Sequence, residues 1–119
     1  MQHVSGARLG SLVLGSADPG RLAAWYQSAF APGEQIVDSV LRLNRGALVF
    51  EQGDGIRPHA VEPGRFVLNI QVDQLSVVEE HLRSLALRWV RPAEQVPAGA
   101  IAMLRDLDGN LVNVIELRG

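Results

Sequence analysis

The side chains able to do chemistry are few, and their spacing narrows what they could do. The histidines are His3, His59 and His81, and no two of them stand at a separation that would aim a pair of imidazoles at one metal. Asp106 and Asp108 are close enough to suggest a general acid and base. They flank Leu107 and lead into Gly109-Asn110, however, where Asp and Asn side chains bond their own backbone and set a turn. Asn113 is the sharpest signal. It interrupts an otherwise apolar run, Leu111-Val112-Asn113-Val114-Ile115, and a buried amide left without partners costs roughly 1–3 kcal/mol. A neighbouring side chain, a water or a bound molecule must satisfy it. Asn69 and Gln71 alternate with apolar residues in a second segment and share a face with Val67. Ser11 takes the corresponding place in a third.

Composition removes several chemistries outright. There are no cysteines, and all 11 basic residues are arginine. Thiolate nucleophiles, disulfides, Schiff bases and a phosphate-loop lysine are therefore excluded. Neither a Gly-x-Gly-x-x-Gly nor a Gly-x-Ser-x-Gly motif occurs. A net charge of −2 with scattered arginines gives no footprint for nucleic acid. No stretch approaches the ~18 apolar residues that would span a bilayer, and Met1 to Gly10 does not read as a signal peptide. The expectation is a cytoplasmic protein without membrane or nucleic-acid partners, folded as a single domain over residues 1–119.

The elements that must position these residues come in a repeat. Leu9 to Ser16 alternates as a strand and runs through Asp18-Pro19, a cap and first-turn pair, into a helix over 19–30. Leu22, Trp25, Tyr26, Ala29 and Phe30 form its apolar stripe. Val67 to Asp73 runs likewise into a helix over 75–85, striped by Leu75, Val78, Leu82 and Leu85. Strands are expected over 36–43, 47–51, 87–90, 100–105 and 111–117, with 91–99 a loop. The halves span about 9–51 and 66–117, joined by a linker over about 52–65. Each reads β-α-β-β-β, an α+β class with one core between two half-domains.

The repeat, Asp18 before a helix carrying Trp25-Tyr26, and the turn Asp106-Leu107-Asp108-Gly109-Asn110 before a hydrophobic strand together resemble the vicinal oxygen chelate superfamily. That group includes glyoxalases, extradiol dioxygenases and bleomycin-resistance proteins. The usual proline of the turn is Leu107 here. The resemblance implies two βαβββ repeats forming curled mixed sheets around a concave cavity, with helices outside. It also implies four cavity positions that hold a divalent ion in metal-dependent members. Carried onto this chain, those positions fall on Ser11, Phe50, Val67 and Asn113, which are poor donors for Zn²⁺, Fe²⁺ or Mn²⁺. No metal, no other cofactor and no catalytic residue is therefore expected.

The expected function is metal-free binding of a small organic molecule, of sequestering or resistance type, by a homodimer. Ser11, Phe50, Val67, Asn69, Gln71 and Asn113 are the candidate ligand-binding residues. The alternative is a divalent-metal-dependent lyase, isomerase or dioxygenase of the same superfamily with unrecognised ligands, or a metal-free enzyme using Glu51 or His59 as base. A third reading is a non-catalytic interaction subunit whose cavity is filled by side chains.

Overall fold

A computed structural model describes residues 6–118. The order of elements is β1 (Ser11–Ser16), α1 (Pro19–Phe30), β2 (Val40–Leu43), β3 (Gly46–Gln52), β4 (Leu68–Gln71), α2 (Leu75–Arg83), β5 (Arg88–Val96), β6 (Gly99–Arg105) and β7 (Leu111–Leu117). They form two mixed sheets ordered β1-β3-β2 and β4-β7-β6-β5. In each sheet the opening strand runs parallel to the closing one, β1 to β3 and β4 to β7. The α+β architecture with two repeated halves is therefore present, four-stranded in the second half and three-stranded in the first.

The shortfall in the first half has a local cause. Asp38 and Ser39 both have positive φ, 51° and 64°, and Val37 and Val40 exchange both backbone bonds at 3.1 and 2.9 Å. Two central residues with φ > 0 make the mirror-image hairpin turn. The strand expected over 36–43 is broken there, leaving β2 and one isolated bridge. In the second half the expected loop over 91–99 is largely strand. β5 continues to Val96 through Pro92, with register shifts on either side of Arg91. Proline is tolerated because β5 is an edge strand, where a missing N–H breaks no ladder and bulges absorb the misfit.

Helix α1 starts as its sequence requires. Asp18 Oδ1 accepts from the Arg21 N–H at 3.2 Å and Pro19 fills the first turn. Its buried side chains Leu22, Ala23 and Tyr26 meet Leu41, Leu48 and Phe50 of the first sheet and also Ile70 and Val112 of the second. Helix α2 puts Leu75 and Leu82 against Ala102, Leu104 and Val114. Trp25 and Phe30 touch both clusters, so α1 is the wedge that joins the halves. Each large side chain buried in this way contributes about 1.5–3 kcal/mol. Trp89 packs with the α2 cluster because its register partner, Leu104, points to the helix side.

The cap of α2 comes from far along the chain. Gln74 makes no side-chain cap bond, and the Leu75 N–H instead donates to Glu116 Oε1 of β7 at 2.8 Å. A carboxylate there satisfies an orphan donor and faces the positive end of the helix dipole.

Candidate functional site

Both helices cover one face of the sheets, which leaves the other face to carry chemistry. In the second sheet that open face is a ladder of three rungs. Leu111 pairs with Arg105, which pairs with Arg88. Asn69 pairs with Asn113, which pairs with Met103. Gln71 pairs with Ile115, which pairs with Ile101. Leu111, Met103, Ile101 and Ile115 are half-buried rather than enclosed. The face is thus apolar at its centre, with amides towards the β4 edge, Arg88 and Arg105 at one end, and the Arg91–Glu94 ion pair of β5 in register with Met103 and Ile101.

Asn113 has found half of what it needs. Its Nδ2 donates to Asn69 Oδ1 at 3.0 Å, while its own Oδ1 is buried and has no partner among the described residues. The amide expected to demand a partner therefore keeps an enclosed acceptor on the open face of the second sheet.

A cleft of about 840 Å³ lies along β1 and β4 and reaches the helix side, where Ala29 and Phe30 of α1 and Val77, Val78 and His81 of α2 also line it. Ser11, Asn69 and Gln71 line it together, with Leu12, Leu48, Leu68 and Ile70 as apolar wall. Three of the six candidate residues thus converge, and Asn113 is tied to them through Asn69. Val67 lies just before β4, partly exposed. Phe50 does not belong with them. It is 2% exposed, its ring centroid lies 5.7 Å from that of Tyr26, and it has no surface to offer a ligand.

The register explains the correction. In the second half Asn113 sits opposite Asn69, two residues beyond Val67. The matching place in the first half lies opposite Val13, two residues beyond Ser11, and it is Val49. Phe50 is one residue on and so faces the helix. Glu51 returns to the open face, but one rung farther, opposite Gly15. The four positions that the register makes equivalent between the halves are therefore Ser11, Val49, Val67 and Asn113. Two are hydrocarbon, one is a hydroxyl and one an amide, which is no donor set for a divalent ion. Among the described residues no group of three or more His, Asp or Glu side chains could hold one.

The acidic turn is structural. Asp106 is 1% exposed. Its Oδ1 accepts from the Asp108 and Asn110 N–H groups, both at 2.9 Å. Its Oδ2 accepts from Asn110 Nδ2 at 2.9 Å and from the Tyr26 hydroxyl at 2.6 Å. The aromatic pair of α1 and the aspartate turn are thus two ends of one hydrogen bond. Burial first, then the charges of Asp106 and Asp108, push the Tyr26 phenol far above its usual range. His59 is exposed and lies beside Asp108 around a smaller pocket. His81 bonds the Ser28 carbonyl through Nε2 at 2.7 Å, joining α2 to α1. Among the described residues no helix is long and apolar enough to cross a membrane. His3 lies outside the described residues.

Neither a known sequence family nor a curated protein matches the chain. Solved structures do. An integron cassette protein from the mobile metagenome of V. cholerae is 24% identical, with a TM-score of 0.71 over 97% of this chain and 98% of that one. A glyoxalase/bleomycin resistance protein/dioxygenase family enzyme from Burkholderia phytofirmans PsJN is 17% identical, with a TM-score of 0.71 over 94% of this chain and 100% of that one. TnmS3, an antibiotic binding protein from Streptomyces sp. CB03234, is 15% identical, with a TM-score of 0.73 over 98% of this chain and 100% of that one. Enzymes and binders both stand among these neighbours, so the fold alone does not choose between them. The chain has the fold of the vicinal oxygen chelate superfamily.

Proposed function

We propose that this chain is a metal-free binding protein that holds a small organic molecule against the open face of its second sheet. The observation that carries the reading is the middle of that ladder. Asn113 keeps a buried Oδ1 without a partner among the described residues, beside half-buried Met103, Ile101 and Ile115. A polar group left open in an apolar setting costs stability unless something binds it. The hydrocarbon at Val49 and Val67 supports the absence of a metal from the working protein. An antibiotic-binding neighbour with the same fold supports a small organic ligand.

The reading includes a homodimer. Leu9 and Phe66 are 85% and 83% exposed, and Val13 is more than half exposed on the open face of the first sheet. A second copy would cover apolar surface that one chain leaves to water. Light scattering at micromolar concentration is expected to give a mass of two chains; one chain would remove this part of the reading.

The main test is metal content by elemental analysis after purification without chelators, followed by a thermal-shift screen of metabolites and antibiotics. The expected result is substoichiometric metal and one or more compounds that raise the melting temperature by mass action. Tight, stoichiometric metal would overturn the reading in favour of a metal-dependent enzyme with other ligands.

A further inference from the structure

The first rung of the ladder holds an unusual pair. Arg88 and Arg105 stand directly opposite one another on adjacent strands, an arrangement in which like charges repel. Among the described residues neither takes part in an ion pair; the bridges present join Arg65 to Glu62, Arg83 to Glu79 and Arg91 to Glu94. Each makes a single bond to the turn beside it. Arg88 Nη2 donates to the Asp106 carbonyl and Arg105 Nη1 to the Gly109 carbonyl, both at 3.2 Å. A guanidinium carries five N–H donors in a fixed fork, so most of the donor capacity of both groups is unspent. The Asp106 carboxylate is fully engaged by Tyr26, Asn110 and the turn backbone. Two forks held side by side at the end of an apolar face are a ready partner for a planar anion.

We propose that the open face of the second sheet binds an apolar molecule through a terminal carboxylate gripped by Arg88 and Arg105. This rests on the binding reading above for the face used and names the chemistry at one end of the ligand; the carboxylate, an acceptor only, is served by the arginines and not by Asn113 Oδ1. The apolar body lies over Met103, Ile101 and Ile115. At about 3.3 Å per residue the distance from Arg105 to Ile101 is about 13 Å, which sets the length of the ligand at that of a medium-chain fatty acid or an aryl-alkanoate.

Decanoate, decanol and decyltrimethylammonium are the probes. The chain has two methionines, so a methyl-labelled methionine spectrum reports on Met103 directly, with Met103→Leu as the assignment control. The expected result is that decanoate moves the Met103 signal and binds about tenfold tighter than decanol, a ratio equal to about 1.4 kcal/mol, with the ammonium weakest. Arg88→Gln and Arg105→Gln are each expected to abolish that preference while keeping decanol affinity. Equal affinity for decanoate and decanol in the unaltered chain would overturn the carboxylate inference and leave the binding reading standing. No movement of Met103 with any of the three would overturn both. The comparison among probes uses the native chain and does not depend on whether the arginine variants fold.

Discussion

Tyr26 allows a sharp test of how the halves are held together. It is the sole tyrosine in a chain without lysine or cysteine. Between about pH 9 and 12 it is therefore the one side chain whose ionisation can change the folding equilibrium. Its hydroxyl donates to a buried carboxylate at 2.6 Å, and burial with that carboxylate pushes its pKa far upward. The unfolded chain releases the phenol proton near pH 10, whereas the folded chain keeps it. Above that pH the unfolded state binds one proton fewer, so stability is intact below about pH 10 and falls as pH rises. The slope approaches about 1.4 kcal/mol per pH unit, and the loss reaches about 2.7 kcal/mol by about pH 12. Tyr26→Phe removes this slope. At neutral pH that variant lacks one hydrogen bond to a charged acceptor and should be less stable by about 1.5–3 kcal/mol. The two stability curves should therefore start apart and converge near pH 12. Urea titrations followed by Trp25 and Trp89 fluorescence at a series of pH values give both curves, and near-ultraviolet absorbance reports phenolate directly. Parallel curves above pH 10, or phenolate appearing in the folded baseline near pH 10, would refute the assignment of Tyr26 as a buried donor.

Three further outcomes follow from particular contacts. In Gly99→Ala the added Cβ would lie 1.9 Å from the Glu116 carbonyl oxygen at a φ of +155°; a loss of at least about 2 kcal/mol is expected in urea unfolding. Glu116→Ala removes the acceptor for the Leu75 N–H and should cost about 1 kcal/mol, with amide exchange accelerating in the first turn of α2. Asn113→Leu deletes the unpartnered Oδ1. It should raise stability by about 1 kcal/mol while weakening binding of any thermal-shift hit; a clear loss of stability would show that the acceptor is satisfied in the native protein.

Much of the fold was legible because local chemistry and periodicity agreed. Asp18-Pro19 marked the start of α1, and the stripe from Leu22 to Phe30 marked its buried face. Parity within β3 was harder. Ala47-Leu48-Val49-Phe50 is apolar throughout, so alternation cannot say which residues face the helix, and a one-residue shift exchanges the faces. The resemblance carries a cavity position onto Phe50, and nothing in the local pattern could correct it to the open face, where the structure puts Val49 and Glu51. The loop expected over 91–99 is mostly strand; sequence does not reveal that β5 lies at an edge, where Pro92 is tolerated. The positive-φ turn at Asp38-Ser39 lacks the glycine that would have announced it. The candidate site was half legible. Ser11, Asn69, Gln71 and Asn113 carried the signal of polar residues in apolar strands, whereas the Arg88–Arg105 pair depends on a register between strands that only folding sets. The Tyr26–Asp106 bond spans 80 residues, and nothing local predicts it.

The sheet edges carry a consequence for how this protein fails. The outer edges are guarded against foreign strands: β2 is four residues long and carries Arg42, and β5 is bulged and interrupted by Pro92. The inner edges, β1 and β4, hold no charged residue at all. Their free N–H and C=O groups are templates for aggregation, and both strands are largely exposed. A lysine placed on either inner edge should therefore slow aggregation while leaving the unfolding midpoint unchanged.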